Sequence, residues 1–443
     1  MSLFGKAGTV RSRSNGRAVM LLGLILAALI WGGLCGPLSE AVWRADAALR
    51  DRLSLILEPG KEREDLVFLG INEAWRKEIA LDPAGGPEMR ALRLMKEEVG
   101  NHYLDRRVYA ELIEKLVAAG TKVIIFDVLF VGPSGNSAAD REFAEALHRH
   151  RDKVVLSLLL RPTGDGFYEP LSSVHQLPHL SRAPGEVPRE GYVNVWPDAE
   201  DEVVRHMLYT TTLGELQSGK GVLSERVYES LSTVTARLLG EEAPEGRSPR
   251  LRFAASAGGD GNFAAAYAPR GLHTVFVPEQ WEMEYGGGEF FRDKVVLVST
   301  STMTDGDYHP IPGATIFGGQ LHLQALGCWL ERSYWKQAPQ WVNLAALLGM
   351  ALLGVILGIA LRHPLAILLA ALALGGGFVT ACAVVSNVSG VLFAGTPGLL
   401  GLGLVTVCAE LGQVIARRGK ADGKEGLPTG AEASSKANVV SPT

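Results

Sequence analysis

Three uncharged apolar stretches near the C-terminus constrain this chain more than anything else in it. Trp341 to Leu361, Leu365 to Val385 and Val391 to Ala409 contain no Asp, Glu, Lys or Arg. At about 1.5 Å per residue, helices of about 20 residues match a hydrocarbon core roughly 30 Å thick. Trp329, Trp335 and Trp341 precede the first of them, as an interfacial aromatic belt would. A further apolar run, Met20 to Leu34, follows Lys6, Arg11, Arg13 and Arg17, with no acid before it.

Charge sets the expected topology. The basic N-terminus stays on the cytoplasmic side and the chain leaves the membrane near Pro37. Arg362-His363-Pro364 forms a tight basic turn and is expected inside. Asn387 to Gly390 is uncharged and can lie outside, and Arg417, Arg418 and Lys420 close the last span inside. A cleaved signal peptide competes for the first run, whose apolar core is short. The small-residue cleavage pattern is poor, however, and in Gly33-Leu34-Cys35 a Leu precedes the Cys of a weak lipoprotein site. Either way, the long middle region is extracytoplasmic. Glu410 is the sole acid near a span and falls at headgroup depth.

The expected organisation is a cytoplasmic N-terminus (1–17), a span (18–38), an extracytoplasmic domain (39–340), three spans (341–361, 365–386 and 391–416) and a disordered cytoplasmic tail (417–443). That places the protein in a bacterial inner membrane with both termini inside. The formal net charge of −5 argues against a nucleic-acid partner. Cys35, Cys382 and Cys408 lie in or at the ends of apolar segments and Cys328 in the approach to one, so no disulfide framework or zinc spacing arises in the middle region.

That region alternates short apolar runs with helical patterns. The strands expected are Leu66 to Ile71, Val123 to Val131, Val154 to Leu160, Leu272 to Val277 and Lys294 to Ser299. The helices are Met89 to Val99, Val108 to Ala119, Ala138 to His148, Val222 to Leu239 and Gly319 to Leu330. The alternation predicts an α/β domain with a mainly parallel central sheet, joined to four transmembrane helices. Val123 to Val131 is apolar except for Asp127, which reads as a strand buried on both faces with a carboxylate near its far end.

No nucleophile elbow, zinc-protease helix, phosphate loop or dinucleotide fingerprint is present. The remaining candidates are loops. In Gly191 to Arg205 a strand-like run meets Pro197-Asp198 and an acidic cluster, so Asn194, Asp198 and Arg205 could line a ligand site, or Asp198 could cap a turn and Arg205 pair locally. In Lys294 to Pro310 a buried strand feeds a loop holding Asp305, Asp307 and His309, where open α/β sheets bind ligands. Oxygen and imidazole donors there suit a metal, but a hydrophilic loop with Asx-turns has the same composition, and no metal or cofactor is assigned.

With those residues in view, the chain resembles the type-two CHASE extracellular sensory domains. Ala119-Gly120-Thr121-Lys122-Val123-Ile124-Ile125-Phe126-Asp127-Val128-Leu129-Phe130 is similar to the family's Ala-Gly-Ala-Lys-Val-Ile-x-Phe-Asp-x-Leu-Phe. Gly191 to Arg205 resembles Gly-Phe-Val-Asn-x-x-Pro-Asp-x-Asp-Gly-Val-Val-Arg. Arg44 to Arg50, Phe291 to Val298, Asp305 with Pro310, and Gly318 to His322 match further family segments in order. The likeness covers about 44 to 335. Asn72, Glu202, Asp293, Ser299, His309, Gly318 and Gln324 depart from the pattern, and residues 82 to 104 look inserted. The three spans after the sensor are a family feature, whereas the cyclase, phosphodiesterase or kinase output that normally follows is not seen here.

The resemblance implies a non-enzymatic sensor. It would bind a small extracytoplasmic ligand, sit in the lipid bilayer and act through a membrane or cytoplasmic protein partner contacted by its helices. The ligand-site candidates are Asp127, Asn194, Asp198, Arg205, Asp305 and His309. Two other classes remain open: a periplasmic metal-dependent hydrolase built on Asp127, Asp305, Asp307 and His309, and a structural subunit of an envelope complex.

Overall fold

The computed structural model describes residues 39–56, 60–72, 89–97, 104–164, 166–180, 185, 187–217, 226–255, 265–302, 307–361, 363–393 and 395–425. Asp51–Lys336 forms one compact unit, and the residues before Asp51 together with those after Lys336 form another.

Strand parity builds the larger unit. Its sheet contains β1 (Leu66–Ile71), β2 (Val123–Asp127), β3 (Val154–Pro162), β4 (Tyr168–Ser172), β5 (Arg189–Tyr192), β8 (Arg270–Gly271) and β9 (Val295–Thr300). The order is β8-β1-β9-β2-β3-β4, with β5 also paired to β3. All pairings are parallel except β3 with β4. Alternate residues of each strand point to opposite faces. On one face Val67, Leu69, Ile124, Phe126, Val296 and Val298 pack with Val108, Leu112, Leu116, Phe143 and Leu147. These last come from α3 (Arg106–Ala118) and α4 (Ser137–Arg149), while Leu92 and Met95 of α2 (Arg90–Glu97) join the same core. On the other face Leu66, Phe68, Val123, Ile125, Val295 and Leu297 meet Leu231 and Val234 of α5 (Leu231–Leu238) and Leu323 and Leu326 of α6 (Gly318–Leu330). Two covered faces explain why these strands read as continuous apolar runs.

Several elements differ from expectation. The run from Val123 leaves the sheet at Asp127, where its register with Ser299 of β9 ends. Val128 to Phe130 is spent on packing and turns: Ser157 Oγ donates to the Val128 carbonyl at 2.6 Å, and Phe130 stacks at 4.8 Å from Phe143. Leu272 to Val277 is no strand; Leu272–Val275 forms a 3₁₀ turn, with Leu272 and Val275 buried and Thr274 Oγ1 bonding the Gly271 carbonyl at 2.6 Å. Its apolar residues recur every third position, which suits one helical turn, and Pro278 opens the next helix. Of the expected helix Val222 to Leu239, residues 222–225 lie outside the described residues, and the described part is helical over Leu231–Leu238. There the Ser230 hydroxyl accepts from Thr233 N at 3.2 Å and starts the helix, while β7 (Val227–Glu229) pairs with β6 (Thr210–Thr212).

In the other unit, α7 (Gln340–Ala360) and α8 (Pro364–Ser389) are long and apolar enough to cross a membrane. In α9 (Gly395–Glu425) the apolar part is Gly395–Cys408. The helix continues past 416 through Lys- and Ala-containing turns, where the sequence reading begins the tail. The expected first span, 18–38, lies outside the described residues. Gly401 lets α9 approach α7, since a Cβ there would stand 2.6 Å from the Leu347 carbonyl oxygen. Ile356, Leu369 and Leu372 are at least half exposed, apolar surface suited to lipid. Asp46, on the part of α1 (Ser39–Ile56) in this unit, accepts from Thr396 N at 3.1 Å and pairs with Arg50 at 2.7 Å.

Candidate functional site

The carboxyl ends of β2 and β9 gather ionisable side chains in the larger unit. Asp127 and Ser299 are register partners on adjacent parallel strands. Parity turns both toward the face covered by α6, because Ile125 and Leu297, two residues earlier, lie there. Ser299 Oγ donates to Asp127 Oδ2 at 2.8 Å.

Alpha-six reaches this edge through two glycines. A Cβ on Gly319 would stand 2.9 Å from Ser299 Cβ, and one on Gly318 would stand 2.3 Å from Asp307 Oδ2. Without side chains, the helix start can press on both groups. Helical spacing then places His322 on the face of Gly318 and Gly319. His322 is only 3% exposed, and among the described residues its Nδ1 has no hydrogen-bond partner. At the rim, Asp307 precedes β10 (Tyr308–Ile311), which pairs with β11 (Ala314–Phe317). His309 Nε2 lies 3.1 Å from Asp307 Oδ1, with the two side chains 25% and 40% exposed. The cluster runs from the partly exposed Asp307 and His309 to the half-buried Asp127 and the buried His322.

The two carboxyls are driven in opposite directions. Burial pushes Asp127 above the usual aspartate value, and Asp307 adds to this, against the pull of His322, Ser299 and His309. Burial also opposes charge on Asp307, but its bond to His309, the His309 and His322 imidazoles and the Gly318 N–H outweigh it and hold that carboxyl low. Asp127 therefore holds its proton more tightly than Asp307 does. Among the described residues, no group of three or more His, Cys, Asp or Glu is arranged to hold a metal ion.

Of the sequence candidates, Asp127, Asp307 and His309 come together here. Asp305 lies outside the described residues. Asn194 is elsewhere: its side-chain oxygen accepts from Leu160 N at 2.7 Å and its amide donates to the Leu160 carbonyl at 2.8 Å, extending the β5–β3 pairing by one rung. Asp198 and Arg205 meet each other at 3.0 Å in an ion cluster. Arg205, 4% exposed, also binds Asp201 at 2.5 Å and Asp51 at 2.7 Å, while Arg250 binds Asp51 and Arg247 binds Asp198 at 2.8 Å. Each side chain of this cluster is committed to another, as a structural clamp requires. Sequence reasoning passed over Ser299 and His322 as binding groups. The signal for His322 was its place one turn beyond Gly318-Gly319.

The chain thus combines a parallel-rich α/β domain, a polar cluster at its carboxyl edge and two helices long and apolar enough to cross a membrane. The CHASE2 domain family model matches residues 21–356, and the chain belongs to that family of extracellular sensory domains. No curated protein and no solved structure gives a significant match.

Proposed function

We propose that this is a multi-pass, membrane-anchored sensor whose extracytoplasmic α/β domain binds a small ligand and which relays occupancy to a membrane or cytoplasmic partner through its apolar helices. Its role is recognition, not catalysis. The observation that carries this reading is the family match across residues 21–356, which spans the α/β domain and reaches into α7. The cluster at the carboxyl edge supports it. Half-buried Asp127, buried His322 and the more exposed Asp307 and His309 act on one another electrostatically, a setting in which a bound group changes the charge state of its neighbours. The basic residues flanking the apolar segments support a reading with both termini in the cytoplasm.

Affinity purification of the full chain from native membranes tests the relay. Recovery of a histidine kinase or nucleotide cyclase is the expected result. Recovery of envelope machinery alone would overturn it in favour of a structural role.

A further inference from the structure

A recess away from the Asp127 cluster lies where β5, β7 and the short turn Ser173–Gln176 meet. It encloses 290 Å³, near the lower end of small-molecule pockets at roughly 300–1,000 Å³. Leu158, Val174, Val187 and Pro188 form an aliphatic wall, facing the polar side chains of His175, Glu190, Arg226 and Glu229.

Two of those polar groups carry opposite charges. Glu190 is fixed in place: Ser172 Oγ stands 2.7 Å from both of its oxygens, and Val174 N donates to Oε1 at 2.8 Å. Burial pushes its carboxyl up, and no cation forms an ion pair with it among the described residues. Arg226 is exposed, with its guanidinium 5.0 Å over the Tyr228 ring and no carboxylate bound to it among the described residues. The nearby Glu229 is occupied by Arg237. Among the described residues the recess thus holds a half-buried carboxylate and an exposed guanidinium that make no direct ion pair, although Arg226 and His175 both act on Glu190 through space.

We propose, building on the sensory reading above, that this recess binds a zwitterionic amino acid with a branched aliphatic side chain, its ammonium on Glu190 and its carboxylate on Arg226. The aliphatic wall takes the side chain and the Tyr228 ring braces the guanidinium.

Calorimetry on the full-length protein in detergent micelles tests this with three probes: L-leucine, 4-methylpentanoate, which lacks the ammonium, and 3-methylbutylamine, which lacks the carboxylate. Leucine should bind at least about tenfold more tightly than either analogue, the weight of one charge-assisted hydrogen bond. Arg226→Gln, at an exposed position that leaves folding intact, should erase the advantage of leucine over the amine. Glu190→Gln should erase its advantage over 4-methylpentanoate. No heat with leucine, equal binding of all three probes, or unchanged discrimination in Arg226→Gln would overturn the assignment. Absence of leucine binding with a kinase or cyclase still co-purifying removes this pocket and leaves the sensory reading standing. Leucine binding with only envelope machinery recovered does the reverse.

Discussion

Replacing Arg205 by Met should reveal whether its cluster is a clamp. The guanidinium makes contacts of 3.1 Å and 2.7 Å with Asp51, 3.0 Å with Asp198, and 2.8 Å and 2.5 Å with Asp201. Removing one partner of a buried ion cluster costs about 3–5 kcal/mol, because the remaining charges are left uncompensated. Here the carboxylates are 15%, 17% and 32% exposed, and Arg250 and Arg247 remain on Asp51 and Asp198, which moves the cost to the lower end, about 3 kcal/mol. For a unit this large, each kcal/mol moves the midpoint by roughly 2–4 °C, so Tm should fall by about 6–12 °C. Thermal unfolding of the full-length protein in detergent, followed by tryptophan fluorescence, reads this directly. Adding Asp201→Asn should restore part of the loss, since Asp201 meets both terminal nitrogens of Arg205. A fall below about 2 °C with no rescue would refute the clamp and return Arg205 to the pool of free ligand-binding groups.

Two further outcomes follow from the Asp127 cluster. Gly318→Ala would put a Cβ 2.3 Å from Asp307 Oδ2, so the carboxylate must leave the helix start and His309 loses its position. Overpacking of this kind costs about 1–3 kcal/mol, against up to roughly 1 kcal/mol regained from helix propensity, and a rise in Tm would contradict it. Asp127→Asn probes pH. The folded Asp127 carboxyl sits above its ordinary value, so its contribution to stability is present in acid, below about pH 4, and is lost as pH rises through the folded value. The Asn variant should therefore gain stability over the natural protein as pH increases from about 4 to 8, and a difference in Tm that does not vary with pH would rule this out. Asp307, held low, works in the opposite sense and loses its contribution as pH falls below its ordinary range.

Much of the sheet could be read from the chain because burial on both faces writes itself as uninterrupted Val, Ile and Leu. Leu66–Ile71 and Val154–Pro162 start where the apolar runs start. The same signal overran at Val128 to Phe130, since an apolar loop folding back onto an aromatic cluster looks identical to a strand. It failed at Leu272, where hydrophobicity without length cannot separate a buried turn from a buried strand. The site was legible in part. Asp127 ends β2, as its apolar run suggests, whereas His309 lies in β10 of a separate two-stranded sheet. Asn194 and Arg205 carry the same residue chemistry, yet their partners, Leu160, Asp51 and Asp201, decide their roles, and tertiary pairing leaves no mark in local sequence. Glu190 was invisible for the same reason: only the fold sets it beside Ser172 and Val174.

The sheet's margins bear on how the protein survives crowding. One margin, β8, is two residues long, and Arg270 there lies 4.8 Å over the Phe290 ring. The other, β4, carries Pro170, which has no N–H to offer, and Glu169, which is tied to Arg161 on the neighbouring strand. At these two margins, among the described residues, a stray extended peptide finds only a short or interrupted ladder to join. That disfavours edge-to-edge growth there, even though the strands of this domain are rich in Val and Ile.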